Sequence, residues 1–271
     1  TNYVTHLTRN MDGFDYTNLQ PKKMRGGRRT LLAGSCTQPI QHRQAIVVDD
    51  LAFLKNETDK PIKMTLPGPM TVVDSTNNNF YSSEEEMAFA WANAINKEAK
   101  LLDDLGVDII QFDEPAFSRY PDKVEKWGIE ALDQCVSGLK CSTAVHVCYG
   151  YPQPGLLRPV NDSYETIIAL LEQSKIDQLA LEFEGANLDP KLLKNCPSKT
   201  VIFGCVFNSD EVMEKPHSVA KRLCEAAEFI DPMKIQAAPD CGLVMMNDQT
   251  ALQKLSILVE GADIARKNLG F

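Results

Sequence analysis

Near the middle of the chain an imidazole and a thiol, His146 and Cys148, stand two residues apart in the extended run Thr143-Ala144-Val145-His146-Val147-Cys148. Side chains alternate across a strand, so both donors point to the same side and can reach one ion. A lone His at a strand end usually serves structure, but further donors follow other apolar runs. These are Asp113-Glu114-Pro115, Glu182-Phe183-Glu184, Asn208-Ser209-Asp210 and Pro239-Asp240-Cys241-Gly242. If the strand ends share one rim, His146, Cys148, Glu182 and Cys241 make a set of two thiolates, one imidazole and one carboxylate. That set suits tetrahedral Zn²⁺, and its sulfur donors argue against magnesium or calcium. Glu184 has the same strand parity as Glu182, so strand direction leaves both open as the carboxylate.

Such donors can converge only if the strands that carry them lie side by side. From residue 60 onward, short apolar or β-branched runs alternate with longer helix-period segments, the pattern of repeated strand-helix units and a parallel sheet. Strands are expected at Ile62–Leu66, Val107–Phe112, Thr143–Val147, Gln178–Glu182, Val201–Phe207 and Lys234–Ala238. Helices are expected to begin at Ser82 or Ser83 and over Ser163–Gln173, His217–Phe229 and Thr250–Asn268. At the first of these, Ser82 or Ser83 caps, Glu85 or Glu86 completes a capping box, and Met87, Trp91, Ile95 and Leu102 mark an apolar face that ends at Gly106. A weaker seventh strand is expected within Arg29–Val48. The fold class is therefore α/β, a (β/α)₈ TIM-type barrel lacking its first strand in this chain, with a doubly wound open sheet as the competing architecture. The chain opens on Thr1-Asn2-Tyr3 with neither methionine nor cap, which reads as a fragment of a longer protein. Residues 1–271 read as a single barrel domain.

Composition narrows the partners. A formal charge of −9 lacks the surplus of Lys and Arg that phosphate backbones require, so small-molecule substrates are expected and nucleic acid is not. No apolar run approaches the roughly 20 residues needed to span a bilayer, and no export signal opens the chain, so no membrane partner and a cytoplasmic location are expected. Without export the eight cysteines should stay reduced, most of them packing as small hydrophobes and leaving Cys148 and Cys241 for a metal. Oligomeric state is not legible here.

Five segments together resemble the catalytic half of cobalamin-independent methionine synthase. They are Leu66-Pro67-Gly68-Pro69-Met70-Thr71, Ile109-Ile110-Gln111-Phe112-Asp113-Glu114-Pro115-Ala116, Trp127-Gly128-Ile129-Glu130-Ala131, His146-Val147-Cys148-Tyr149 and Pro239-Asp240-Cys241-Gly242-Leu243. Their order and spacing agree with that family over nearly the whole chain. The resemblance implies a zinc-bearing barrel with His146, Cys148, Glu182 and Cys241 as ligands, Glu182 being favoured over Glu184 by the strand end Leu179-Ala180-Leu181-Glu182. It makes Asp113 the residue that holds the amino group of homocysteine, with Glu114 beside it in the substrate site. The implied reaction is methyl transfer to the thiol of homocysteine, giving methionine. Zinc coordination would keep that thiol deprotonated and nucleophilic at neutral pH.

The pattern also departs from the family. Ser75 stands where the family has a folate-stacking tryptophan, and Arg119 near a folate-contacting glutamate. Asp210 occupies the position of the proton-donating histidine and becomes the candidate catalytic residue, while His217, after Pro216 at a helix start, is expected at the surface. A Gly-Ser-Phe-Pro-like first strand and an Asp-Gly-Glu-like segment, both homocysteine contacts in the family, do not occur here. The methyl donor is accordingly open between 5-methyltetrahydrofolate, as its polyglutamate, and a methyl-corrinoid. The alternatives are thiol alkylation like that of epoxyalkane:coenzyme M transferase, and a non-catalytic zinc-binding barrel.

Overall fold

The computed structural model describes residues 3–24, 26–27, 29–151 and 160–271. Thr1 and Asn2, on which the expectation of a fragment partly rests, lie outside the described residues. The chain divides into two compact units. One comprises Thr1–His146 with Ser174–Asp177, the other Val147–Gln173 with Gln178–Phe271.

The first unit contains, in order, α1 (Tyr3–Arg9), β1 (Asp12–Met24), β2 (Arg29–Gln41), α2 (Val48–Glu57), β3 (Lys63–Pro67), α3 (Pro69–Ser75), β4 (Asn77–Asn78), α4 (Glu84–Asp104), β5 (Ile109–Asp113), α5 (Pro121–Lys123), α6 (Ile129–Cys135) and β6 (Ser142–Val147). Strands β3, β5 and β6 are parallel neighbours, with Pro67 in register with Asp113 and Asp113 with His146. Helix α4 shows why the sequence folds this way. Ser83 Oγ accepts the Glu86 N–H at 3.0 Å, while the Glu86 carboxylate takes the N–H (2.9 Å) and hydroxyl (2.6 Å) of Ser82, so both serines contribute to the cap. Met87, Trp91, Ile95 and Leu102 are all buried along one face. The Trp91 indole N–H donates to the Pro67 carbonyl at 3.0 Å and its ring meets Phe14 edge-on, which ties the helix to the end of β3. Gly106, at φ +73°, then reverses the chain into β5.

The strand expected within Arg29–Val48 is a correction. It forms as β2, but it pairs antiparallel with β1 and, briefly, parallel with β4, in a separate three-stranded sheet. The β1–β2 ribbon turns through Gly26 and Gly27, both at positive φ. Backbone pairing holds such a ribbon without a continuous apolar run, so Leu31 and Leu32 stay exposed and β1 carries no hydrophobic signal.

The second unit contains α7 (Ser163–Glu172), β7 (Gln178–Glu182), β8 (Thr200–Val206), α8 (Pro216–Ala226), β9 (Ile235–Pro239) and α9 (Asp248–Leu269). Strands β7, β8 and β9 are parallel neighbours in that order. Val219, Ala220 and Leu223 form the buried stripe of α8, and α9 packs closely on it. Gly261 of α9 permits this, since a Cβ there would stand 2.6 Å from Val219 Cβ. The class is thus α/β with parallel strands joined by helices, and all six strands expected after residue 60 form within two residues of their expected bounds. Among the described residues no helix is long and apolar enough to cross a membrane.

Candidate metal centre

In the first unit the acidic pair Asp113-Glu114 ends β5 as expected, but the two carboxyls have different surroundings. Gln111 donates to Asp113 Oδ1 at 2.8 Å and itself accepts from Lys63 Nζ at 2.8 Å, a polar chain along one face of β3 and β5. Burial pushes the Asp113 carboxyl above the usual range, against the pull of His146, Gln111 and Lys63. Glu114 is fully buried and faces the start of α3. One oxygen accepts the Met70 N–H and the other the N–H and hydroxyl of Thr71, each at 2.8 Å. It caps α3 from a neighbouring strand end, and Gly68 leaves room for it, since a Cβ there would lie 2.4 Å from Glu114 Cδ.

Burial drives the Glu114 pKa up to about 8 despite these donors. A carboxyl whose folded pKa lies above its unfolded value contributes stability that is full below the unfolded pKa, near 4.5, and is lost as pH rises through about 8. The Glu114→Gln protein, which keeps an acceptor and cannot ionise, is therefore expected to lose less stability than the parent between pH 5 and roughly 8.5. Urea midpoints across that range check it, and parallel pH profiles for the two proteins would contradict it.

The thiols come together around the end of β6. Cys148 is buried, Cys241 is partly exposed, and their sulfurs lie 4.0 Å apart. Gly150, at φ +87°, turns the chain back so that its N–H donates to Cys148 Sγ at 3.3 Å. His146, the next-to-last residue of β6, precedes Cys148 by two residues, and Cys148 lies just past the end of that strand. Glu182, at the end of β7, is fully buried, and its Oε2 accepts the Tyr149 N–H at 2.8 Å. Its rival Glu184 is bound by the Arg222 guanidinium at 2.9 Å.

The other expected residues lie elsewhere. Asp210 is exposed in the loop after β8, and His217 is exposed at the start of α8. Ser75 donates to the Thr71 carbonyl at 2.6 Å, and Arg119 pairs with Asp74 at 3.5 Å.

Two supporting residues have no role of their own in the sequence reading, where Asp240 stands only within Pro239-Asp240-Cys241-Gly242. Tyr164, from α7, donates to the Val147 carbonyl at 2.5 Å, accepts the Glu182 N–H at 3.2 Å and stacks on Tyr149 at 5.0 Å. Only its spacing on the buried face of α7 could have singled it out. Asp240 is 1% exposed, and burial, with the Glu182 charge adding to it, raises its carboxyl to about 7. Its place beside Cys241 in a Pro-Asp-Cys-Gly turn was the available signal.

Two thiols 4.0 Å apart, with an imidazole two residues before one of them in sequence and a buried carboxylate on the backbone amide that follows it, fit a thiophilic cation such as zinc.

Comparison with known proteins agrees in kind. The family model for the catalytic domain of cobalamin-independent synthase matches residues 1–264. The methionine synthase of Thermococcus kodakarensis is 34% identical over 232 residues, 85% of this chain and 65% of its own length, so the chain spans about two-thirds of that relative. The methionine synthase of Saccharolobus solfataricus is 31% identical over 239 residues, 87% of this chain and 68% of its own. A B12-independent methionine synthase from Shewanella sp. W3-18-1, solved in complex with selenomethionine, superposes with a TM-score of 0.93 at 35% identity, covering 99% of this chain and 80% of that one. On the match of nearly its full length, the chain belongs to the family of cobalamin-independent synthase catalytic domains.

Proposed function

We propose that residues 1–271 form one zinc-dependent catalytic barrel domain that transfers a methyl group to the thiol of homocysteine, giving methionine. The observation that carries this is the approach of the Cys148 and Cys241 sulfurs to 4.0 Å, with His146 two residues before Cys148 in sequence and Glu182 accepting the N–H of Tyr149, the residue after it. These four residues would hold the ion. Once bound, zinc lowers the pKa of a coordinated thiol so that it is nucleophilic at neutral pH.

The protein's own groups do the rest. Asp113, its carboxyl raised by burial, would pair with the ammonium of an amino-acid substrate, an approaching cation favouring the carboxylate form, and so select and orient homocysteine. Glu114 fixes the start of α3 beside it, at the edge of the substrate site. Asp210, exposed on the loop after β8, would move a proton as the donor's leaving group departs. Selenomethionine bound to the Shewanella neighbour is an analogue of the expected product, and the relatives' name agrees with it. The methyl donor is 5-methyltetrahydrofolate, as its polyglutamate, or a methyl-corrinoid, and a cytoplasmic location suits either.

The test is incubation of the zinc-loaded protein with homocysteine and each donor in turn. Methionine should form from at least one. Activity only with coenzyme M and an epoxide would overturn the homocysteine assignment, and a zinc-loaded protein inert with every pair would leave a non-catalytic zinc domain.

A further inference from the structure

Asp240 sits between the end of β9 and Cys241, yet its side chain serves a different strand. Oδ1 accepts the N–H groups of Phe183 and Glu184, each at 3.0 Å, and Oδ2 accepts the N–H of Gly185 at 2.6 Å. Those three amides follow Glu182 directly; the Glu184 N–H is shared with the Gly204 carbonyl at 3.2 Å, while Asp240 accepts from all three, and a buried N–H without a partner is costly. Strand β8 runs between β7 and β9, so Asp240 must reach across it. The crossing point is Gly204, in register with Glu182 on one side and Ala238 on the other. A Cβ at Gly204 would stand 2.4 Å from Asp240 Oδ1 and 2.8 Å from the Leu181 carbonyl, so only glycine leaves the passage open. The Asp240 N–H donates to the Val206 carbonyl at 2.9 Å, which anchors the residue to β8 as it crosses.

From this geometry we infer that Asp240 is a positioning residue that sets Glu182 at a fixed place relative to Cys241, through the amides of Phe183, Glu184 and Gly185. Two side chains from strands that are not neighbours are thereby held as one unit. The inference rests on the proposal that Glu182 and Cys241 both hold the metal. Asparagine at 240 could keep the two bonds to Oδ1 but would turn an N–H₂ toward the Gly185 N–H, so the turn after Glu182 would shift while the fold persists.

The experiment uses the full chain and zinc alone. Zinc affinity is measured by chelator competition for the parent, Asp240→Asn, Glu182→Gln and the double variant, alongside the absorption spectrum of each protein loaded with Co²⁺. Asp240→Asn is expected to weaken zinc binding by about 10- to 100-fold, as loss of an orienting partner does. In the Glu182→Gln background the same change should add little, because it acts through Glu182, and the Co²⁺ spectrum of Asp240→Asn should shift toward that of Glu182→Gln. Full additivity, or weakened binding in Glu182→Gln with none in Asp240→Asn, overturns the positioning role alone. Unchanged affinity in Glu182→Gln overturns the ligand assignment beneath it. Amide exchange in the parent does not depend on any variant folding. Slow exchange at Phe183, Glu184 and Gly185 is expected, and rapid exchange at all three overturns the inference.

Discussion

Replacing Cys241 with serine is expected to abolish methyl transfer while leaving the chain folded. Serine keeps the shape, but its hydroxyl stays protonated at neutral pH and supplies no soft anionic donor. Cys241 is partly exposed and lies after β9 has ended, so little packing goes with the sulfur. Its sulfur is 4.0 Å from that of Cys148, and in the proposed zinc site its loss would remove one of two sulfur donors. Metal catalysis of this kind contributes several kcal/mol, which corresponds to a fall in kcat/KM on the order of 10³-fold or more. Zinc content should drop in parallel, with the thermal midpoint nearly unchanged. A Cys241→Ser protein retaining zinc and most of its activity would show that the thiol is not a ligand.

The largest effect on stability is expected from Lys254→Met. Lys254 of α9 is fully buried, and its ammonium donates to Glu214 Oε2 at 2.7 Å and to the Phe207 carbonyl at 2.9 Å. The other Glu214 oxygen accepts the Phe207 N–H at 2.8 Å, so one ion pair closes both ends of the loop that carries Asp210. Methionine matches the stem of lysine but leaves a nearly buried carboxylate without its cation. Breaking a buried pair from one side costs about 3–5 kcal/mol, because the remaining charge is uncompensated. Urea unfolding should show that loss. Adding Glu214→Gln should recover part of it, since the amide still accepts from Phe207 and carries no charge. A loss below about 1 kcal/mol in the single variant would mean that solvent reaches Glu214 more readily than its burial indicates.

What could be read from the residues alone follows from how local each signal is. Strand β7 has the expected bounds, Gln178–Glu182, because a run buried throughout and ending on a charge marks itself. The cap and apolar face of α4 were legible for the same reason, as every element of the signal lies within 20 or so residues. The β1–β2 ribbon was not, since it is held by backbone pairing between segments of mixed composition, and only Gly26-Gly27 announced its turn. The thiols and His146 were conspicuous by type. The contacts behind the site were not: the motifs contain Asp240 and Glu114 but do not show that Asp240 reaches across Gly204, that Glu114 reaches to α3 through the space at Gly68, or that Tyr164 joins two strand ends from a helix. Such contacts depend on strand register, which the residues of one strand do not record.

The most direct test of the metal-centred account is the zinc content of the purified chain after exhaustive dialysis. About one zinc per chain is expected, lost with either Cys148→Ser or Cys241→Ser and released by a strong chelator together with methyl-transfer activity. A folded chain that converts homocysteine to methionine while containing no zinc would contradict it.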